Sequence, residues 1–146
     1  MNKRLVLRLL GAILLIEALA MAPSLAISFL YGDGDALALL SSMALLAALG
    51  FPAWRFAHPR EQNLRAREGF LVVALSWVLL SAFGALPFVI SGLIPNYIDA
   101  FFEAVSGFTT TGATLMGNFD GLPRGVMFWR SFTHWIGGMG VLVLTL

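Results

Sequence analysis

Two stretches of this 146-residue chain, Ala36–Trp54 and Gly69–Ile98, contain no charged residue, and a third, Leu9–Leu30, contains only Glu17. Each reaches the roughly 20 residues that a helix needs to cross a ~30 Å hydrocarbon layer. Lipid offers a backbone N–H or C=O no water to pair with, so runs of this kind cross it as helices that satisfy their own hydrogen bonds. The composition agrees. Hydrophobic residues make up 59% of the chain and charged residues 12%, with a mean hydropathy of +0.86, against about 45–50% and about 25% in soluble domains. The expected class is an all-α integral membrane protein.

The few charges orient it. Lys3, Arg4 and Arg8 precede the first run, and Arg55, Arg60, Arg65 and Arg67 lie between the second and third, whereas the loop Tyr31–Asp35 carries only acids. The positive-inside rule then puts the N-terminus in the cytoplasm of a multi-pass protein of the cytoplasmic (inner) membrane. A basic start ahead of Leu9 imitates a signal peptide, but the apolar run is too long for one and is read as a retained helix. His58-Pro59-Arg60 marks a boundary between a leader helix pair with its basic loop, 1–68, and a second unit, 69–146.

Some functions are disfavoured at once. A net charge of +1 gives no clustered basic face, so no nucleic-acid partner is expected. Without cysteine there is neither a disulfide nor a thiolate site, and His58 and His134, the two histidines, have no partner at metal-site spacing. An intramembrane hydrolase assembled from Ser106 or Ser131, His134 and Asp99 or Asp120 has the parts of a triad but no nucleophile elbow. The chain is not expected to be an enzyme, nor to hold a cofactor.

The second unit changes character after its first helix, taken as 69–94. Pro95-Asn96 breaks the run, and residues 98–108 then show helical apolar spacing over only about 16 Å, half the hydrocarbon thickness. Next comes Thr109-Thr-Thr-Gly-Ala-Thr114, too polar for lipid and too rich in glycine and hydroxyls for a helix. Non-helical backbone at this depth must line a cavity or be buried in protein. A half-helix entering from outside points about half a negative elementary charge toward the bilayer centre, which favours a cation. An extended 109–114 segment then turns carbonyls toward that cation in place of water, with Gly112 supplying positive φ. Asn118–Arg124 returns to the outer surface, and a last helix, 126–146, heads inward.

Helix, re-entrant half-helix, extended filter, helix is a membrane-pore-membrane unit. In Phe102-Glu103, Ser106–Thr114, Leu122-Pro123, Trp129-Arg130-Ser131 and Trp135–Gly140 it closely resembles the TrkH/KtrB/HKT superfamily of potassium transporters, and its TrkH branch in particular. The resemblance implies that the carbonyls of Thr110 and Thr111 face the ion, that Thr109 and Gly112 complete the path, and that the transported ion is potassium rather than sodium. It also implies that Glu103 supports the filter by hydrogen bonds to neighbouring backbone. Implied partners are a second copy of the subunit, as a homodimer, and a cytoplasmic ring of nucleotide-binding RCK subunits of the TrkA type.

Family subunits carry four pore repeats around one pathway, and one strand of carbonyls cannot enclose an ion. From Ser131 to Leu146 the last helix covers only about 24 Å. The chain is therefore expected to be the N-terminal portion of a longer subunit that supplies three further pore repeats. The alternatives are a self-assembling homotetrameric cation channel and a nonconducting assembly or accessory piece. Glu17, outside the pore unit, is expected to be protonated or paired within the leader helices. Arg130 is expected to snorkel to the outer interface with Trp129 in the aromatic belt, in preference to pairing with Asp120 or Glu103. Gly137, Gly138 and Gly140 are expected to allow close helix packing.

Overall fold

Proline and glycine placement divides the apolar runs into more pieces than their length suggests. The computed structural model describes residues 2–57 and 66–145, with side chains described up to 140. It contains helices α1 (Lys3–Ala20), α2 (Ala22–Tyr31), α3 (Ala36–Phe56), α4 (Ala66–Gly84), α5 (Leu86–Ile90), α6 (Tyr97–Phe108) and α7 (Arg124–Thr145). There is no strand among the described residues. Three helical spans, Lys3–Tyr31, Ala36–Phe56 and Ala66–Ile90, are long and apolar enough to cross a membrane. The expected boundary at His58-Pro59-Arg60 lies outside the described residues.

The single first helix expected over Leu9–Leu30 is two helices. Pro23 has no N–H to give to the preceding turn, and α1 ends at Ala20 so that α2 restarts with the proline in its first turn. The Asn2 side chain caps α1 by accepting from Leu5 N, and the Asn2 amide donates to Glu68 at the start of α4. α1 packs most extensively on α3. Gly11 and Gly50 make that contact close, since a Cβ on Gly11 would lie 2.7 Å from both Ala53 Cβ and Trp54 N. This is the small-residue packing that substitutes for a hydrophobic driving force in lipid.

The helix expected over 69–94 also breaks early. α4 stops at Gly84, ahead of Pro87, and the short α5 ends in a turn through Gly92, at φ +75°. The Gly84 carbonyl released at the break accepts instead from Trp129 Nε1 of α7 at 2.9 Å. Trp129 is thus fully buried rather than part of an interfacial belt. Its ring meets Phe108 edge-on, with centroids 6.2 Å apart. Met21, Leu39, Phe88, Ala100 and Ala104 complete a core shared by the leader helices and the pore unit.

α7 begins at Arg124 rather than at 126, because the leader loop caps it across 91 residues of sequence. Asp33 accepts from Arg124 N at 2.9 Å and Asp35 from Val126 N at 2.8 Å. Ser28 Oγ donates to the other Asp35 oxygen, and the Arg124 guanidinium stacks 4.4 Å from the Tyr31 ring centroid. Two carboxylates at a helix N-terminus satisfy its orphan N–H groups and its positive partial charge together. The leader pair is fastened to the pore unit at this end.

Candidate ion-filter site

α6 is the element that delivers the site. Asn96 starts it by accepting from Ile98 N at 3.0 Å, and Asp99 lies in its first turn where the dipole favours an acid. Its 12 residues rise about 18 Å, so it is a half-helix, beginning one residue before the expected 98. Against α7 the approach is close. A Cβ on Gly137 would collide with the Phe108 carbonyl, and one on Gly107 with the Thr133 hydroxyl. Gly138 and Gly140 meet only ordinary or loose contacts at the same test, so the expected close packing resides in Gly137.

The end of α6 differs from the extended segment expected over 109–114. Thr109 is still right-handed, at φ −83° and ψ 0°, and Thr110 is left-handed, at φ +58°. Thr110 N donates to Gly107 O and Thr111 N to Ser106 O, both at 2.9 Å. This pair of bonds is the Schellman cap, with threonine at the position where glycine is usual. Left-handed backbone costs a residue with a Cβ roughly 1–2 kcal/mol. Thr110 is the only described non-glycine residue with positive φ. Irregular chain begins only at Thr111, and Gly112, at φ +77°, has the conformation that its lack of a side chain allows.

After this reversal the chain runs back along its own half-helix. Ser106 Oγ donates to the Ala113 carbonyl at 2.6 Å. One turn earlier on α6, Glu103 Oε2 accepts from Thr114 Oγ1 and Leu115 N, each at 3.2 Å. Glu103 is buried, with 1% of its side chain exposed, and its other oxygen accepts from Arg130 Nε at 2.5 Å. Arg130, with 15% of its side chain exposed, therefore pairs with Glu103 instead of snorkelling to the interface. It also lies 5.3 Å from the Phe119 ring centroid. A salt bridge from α7 thus holds the carboxylate that holds the outgoing strand.

Backbone accounting isolates the remaining acceptors. Residues 109–115 are exposed, and the carbonyls of Thr109, Thr110, Thr111 and Gly112 accept no hydrogen bond among the described residues. Two of the threonine hydroxyls are occupied locally, Thr109 Oγ1 with Val105 O at 2.7 Å and with Thr111 Oγ1 at 2.8 Å. Four consecutive unpaired carbonyls beside the negative end of a half-helix form a hard-oxygen, cation-seeking surface. The hydroxyls considered for a hydrolytic triad have other partners: Ser106 binds Ala113 O, Ser131 binds Met127 O, and His134 Nδ1 sits 3.0 Å from Arg130 O.

The model for the family described as TrkH, cation transport protein, matches residues 37–146. The chain belongs to this family. It is 39% identical over 147 aligned positions to the Trk system potassium uptake protein TrkH of Halomonas elongata, and 38% identical over 146 to that of Escherichia coli strain K12. In both cases 99% of the chain aligns with 30% of the relative. The crystal structure of the potassium transporter TrkH from Vibrio parahaemolyticus superposes with a TM-score of 0.91 at 37% identity, over 99% of this chain and 31% of that one. This member of the TrkH family therefore spans about three-tenths of the length of the relatives it matches. The match reaches across the leader helices as well as the filter.

The polar partner considered for Glu17 within the leader helices is absent among the described residues. Glu17 is 2% exposed, and neither of its oxygens has a hydrogen-bond partner among the described residues. It lies against the pore unit, since a Cβ on Gly84 would sit 2.8 Å from the Phe108 ring and 3.2 Å from Glu17 Oε1. Asp33 and Asp35, which sequence reasoning used only for topology, serve as caps.

Proposed function

We propose that this chain is part of a potassium-transporting subunit of the cytoplasmic membrane, in which the carbonyls of Thr109, Thr110, Thr111 and Gly112 form one of the strands that surround the ion. The observation that carries the reading is the set of four unpaired carbonyls at the foot of α6, held by Ser106 and by the Glu103–Arg130 pair. Potassium is the proposed ion because the relatives from Halomonas elongata and Escherichia coli are potassium uptake proteins. A backbone carbonyl shell suits a large, weakly hydrated cation. Three further repeats of the same subunit supply the other strands. The N-terminus and the 57–66 connection face the cytoplasm, where they meet a nucleotide-binding ring, and two subunits form a dimer.

The test uses a full-length subunit that contains these residues, expressed in cells without other potassium uptake. Growth at low potassium is expected, and it is lost when residues 109–112 are deleted at matched membrane abundance. A deletion variant that supports wild-type growth removes the proposal.

A further inference from the structure

The close contact of α1 with α3 at Gly11 and Gly50 brings together two arginines that are far apart in sequence. Gly11 packs on Ala53 and Trp54, so Arg8, nearly one turn earlier on α1, comes level with the end of α3. Arg8, Trp54, Arg55 and Ala57 line one cavity of about 250 Å³, the volume of about eight waters at ~30 Å³ each. Arg8 is half-buried and Arg55 exposed, and neither guanidinium has a hydrogen-bond or ion-pair partner among the described residues. The described wall holds no carboxylate. Glu68, the acid at the start of α4, accepts from the Asn2 amide instead.

The depth of this cavity follows from α3 itself. Between Ala36, which adjoins the acidic loop, and Arg55 the helix rises about 28 Å, close to the ~30 Å of the hydrocarbon layer. The two guanidiniums therefore sit at headgroup level. Trp54 is 40% exposed, and its ring centroid lies 6.4 Å from that of Phe51, which is 53% exposed and one turn nearer the bilayer centre. Charge at the interface thus continues into an aromatic surface that faces the acyl chains.

We propose that Arg8, Arg55 and Trp54 form a binding site for the phosphate group of an anionic phospholipid of the inner leaflet. A guanidinium presents paired N–H donors that match two phosphate oxygens, and two of them around one cavity neutralise an anion that carries no cation of its own. Basic pockets between membrane helices on the cytoplasmic side take anionic headgroups for this reason. The phosphate of a lipid and a free phosphate offer the arginines the same chemistry. The Phe51–Trp54 surface separates them, because a free phosphate leaves it bare and an acyl chain covers it. Bound there, the headgroup bridges α1 and α3 beyond the last glycine contact. Naming the inner leaflet rests on the orientation proposed above, whereas the pairing of arginines with phosphate does not.

The probes are phosphatidylglycerol, phosphatidylcholine, whose choline cation offsets its phosphate, and inorganic phosphate, each added to the full-length subunit in detergent and counted by native mass spectrometry. Wild type is expected to hold phosphatidylglycerol several-fold more tightly than phosphatidylcholine. The double variant Arg8→Gln/Arg55→Gln loses that preference. Lys3→Gln/Arg4→Gln, which removes the same charge from exposed positions outside the cavity wall, keeps it. Equal loss in the two double variants means diffuse attraction to a basic end and overturns the site. Displacement of the lipid by inorganic phosphate at equal concentration assigns the arginines to a soluble anion and overturns the lipid. A photoreactive phosphatidylglycerol on wild-type protein needs no variant. Its adducts should concentrate at Arg8 and at 51–57, and adducts spread evenly along the membrane-facing helices overturn the proposal even where the arginine variants fail to fold. Labelling of Arg67→Cys from outside sealed cells would overturn the leaflet alone, since detergent binding is read without reference to orientation.

Discussion

Glu103→Gln is the substitution that tests how the filter is held. The wild-type carboxylate is buried and accepts three hydrogen bonds, from Arg130 Nε at 2.5 Å and from Thr114 Oγ1 and Leu115 N at 3.2 Å. Glutamine keeps the shape and one acceptor oxygen, so it can serve Arg130 or the strand but not both. The loss is a charge-assisted bond, worth about 1.5–3 kcal/mol net. Where the glutamine oxygen serves the strand, the Arg130 guanidinium keeps the Phe119 ring as its one remaining side-chain contact among the described residues. If about half of that loss reaches the ion site, ~0.75–1.5 kcal/mol, the potassium-over-sodium ratio falls about four- to twelvefold. The assay is paired potassium and sodium uptake by proteoliposomes of the full-length subunit, with Asp99→Asn on the same half-helix as control. Arg130→Lys should fall between, since an ammonium keeps the charge but not the guanidinium's directed donors. A Glu103→Gln protein with the uptake ratio and unfolding midpoint of the control would refute the tether.

Three further outcomes are expected. Gly112→Ser forces a Cβ into φ +77° at roughly 1 kcal/mol or more and should weaken potassium selectivity. Gly117→Ser, at a position with open space around it and no positive φ, should leave the uptake ratio unchanged. Asp35→Ala removes the acceptor for Val126 N and should cost about 0.5–2 kcal/mol, read as a lower thermal midpoint with uptake selectivity retained. For topology, cysteines at Gly34 and Asn118 should react with an impermeant thiol reagent added outside sealed cells, and one at Arg67 should not. Labelling at 67 would reverse the orientation.

Local signals locate α6 and its end. Asn96 followed by apolar residues at helical spacing located α6 to within a residue, and the glycine and hydroxyl content of 109–114 marked where helix must end. The breaks at Met21 and Ala85 are masked by the unbroken apolar runs around them, which read as single spans, although Pro23 and Pro87 each remove an N–H from the helix. Nothing local signals what depends on distant chain. The caps from Asp33 and Asp35 reach across 91 positions. Trp129 reads as a belt residue until the released Gly84 carbonyl is seen to need a donor. Arg130 was open to two readings because its depth relative to Glu103, 27 residues away, is set by how far α7 slides along α6. That register is fixed by Gly107 and Gly137, whose lack of a side chain says nothing by itself about which partner lies opposite.

Binding of the ion by the four unpaired carbonyls can be seen directly. The direct measurement is anomalous diffraction from crystals of the full-length subunit grown with thallium or rubidium in place of potassium. An anomalous peak is expected in front of the carbonyls of Thr109–Gly112, diminished when sodium replaces the heavier ion. A well-ordered filter segment with no peak there, and the ion found elsewhere in the subunit, would contradict it.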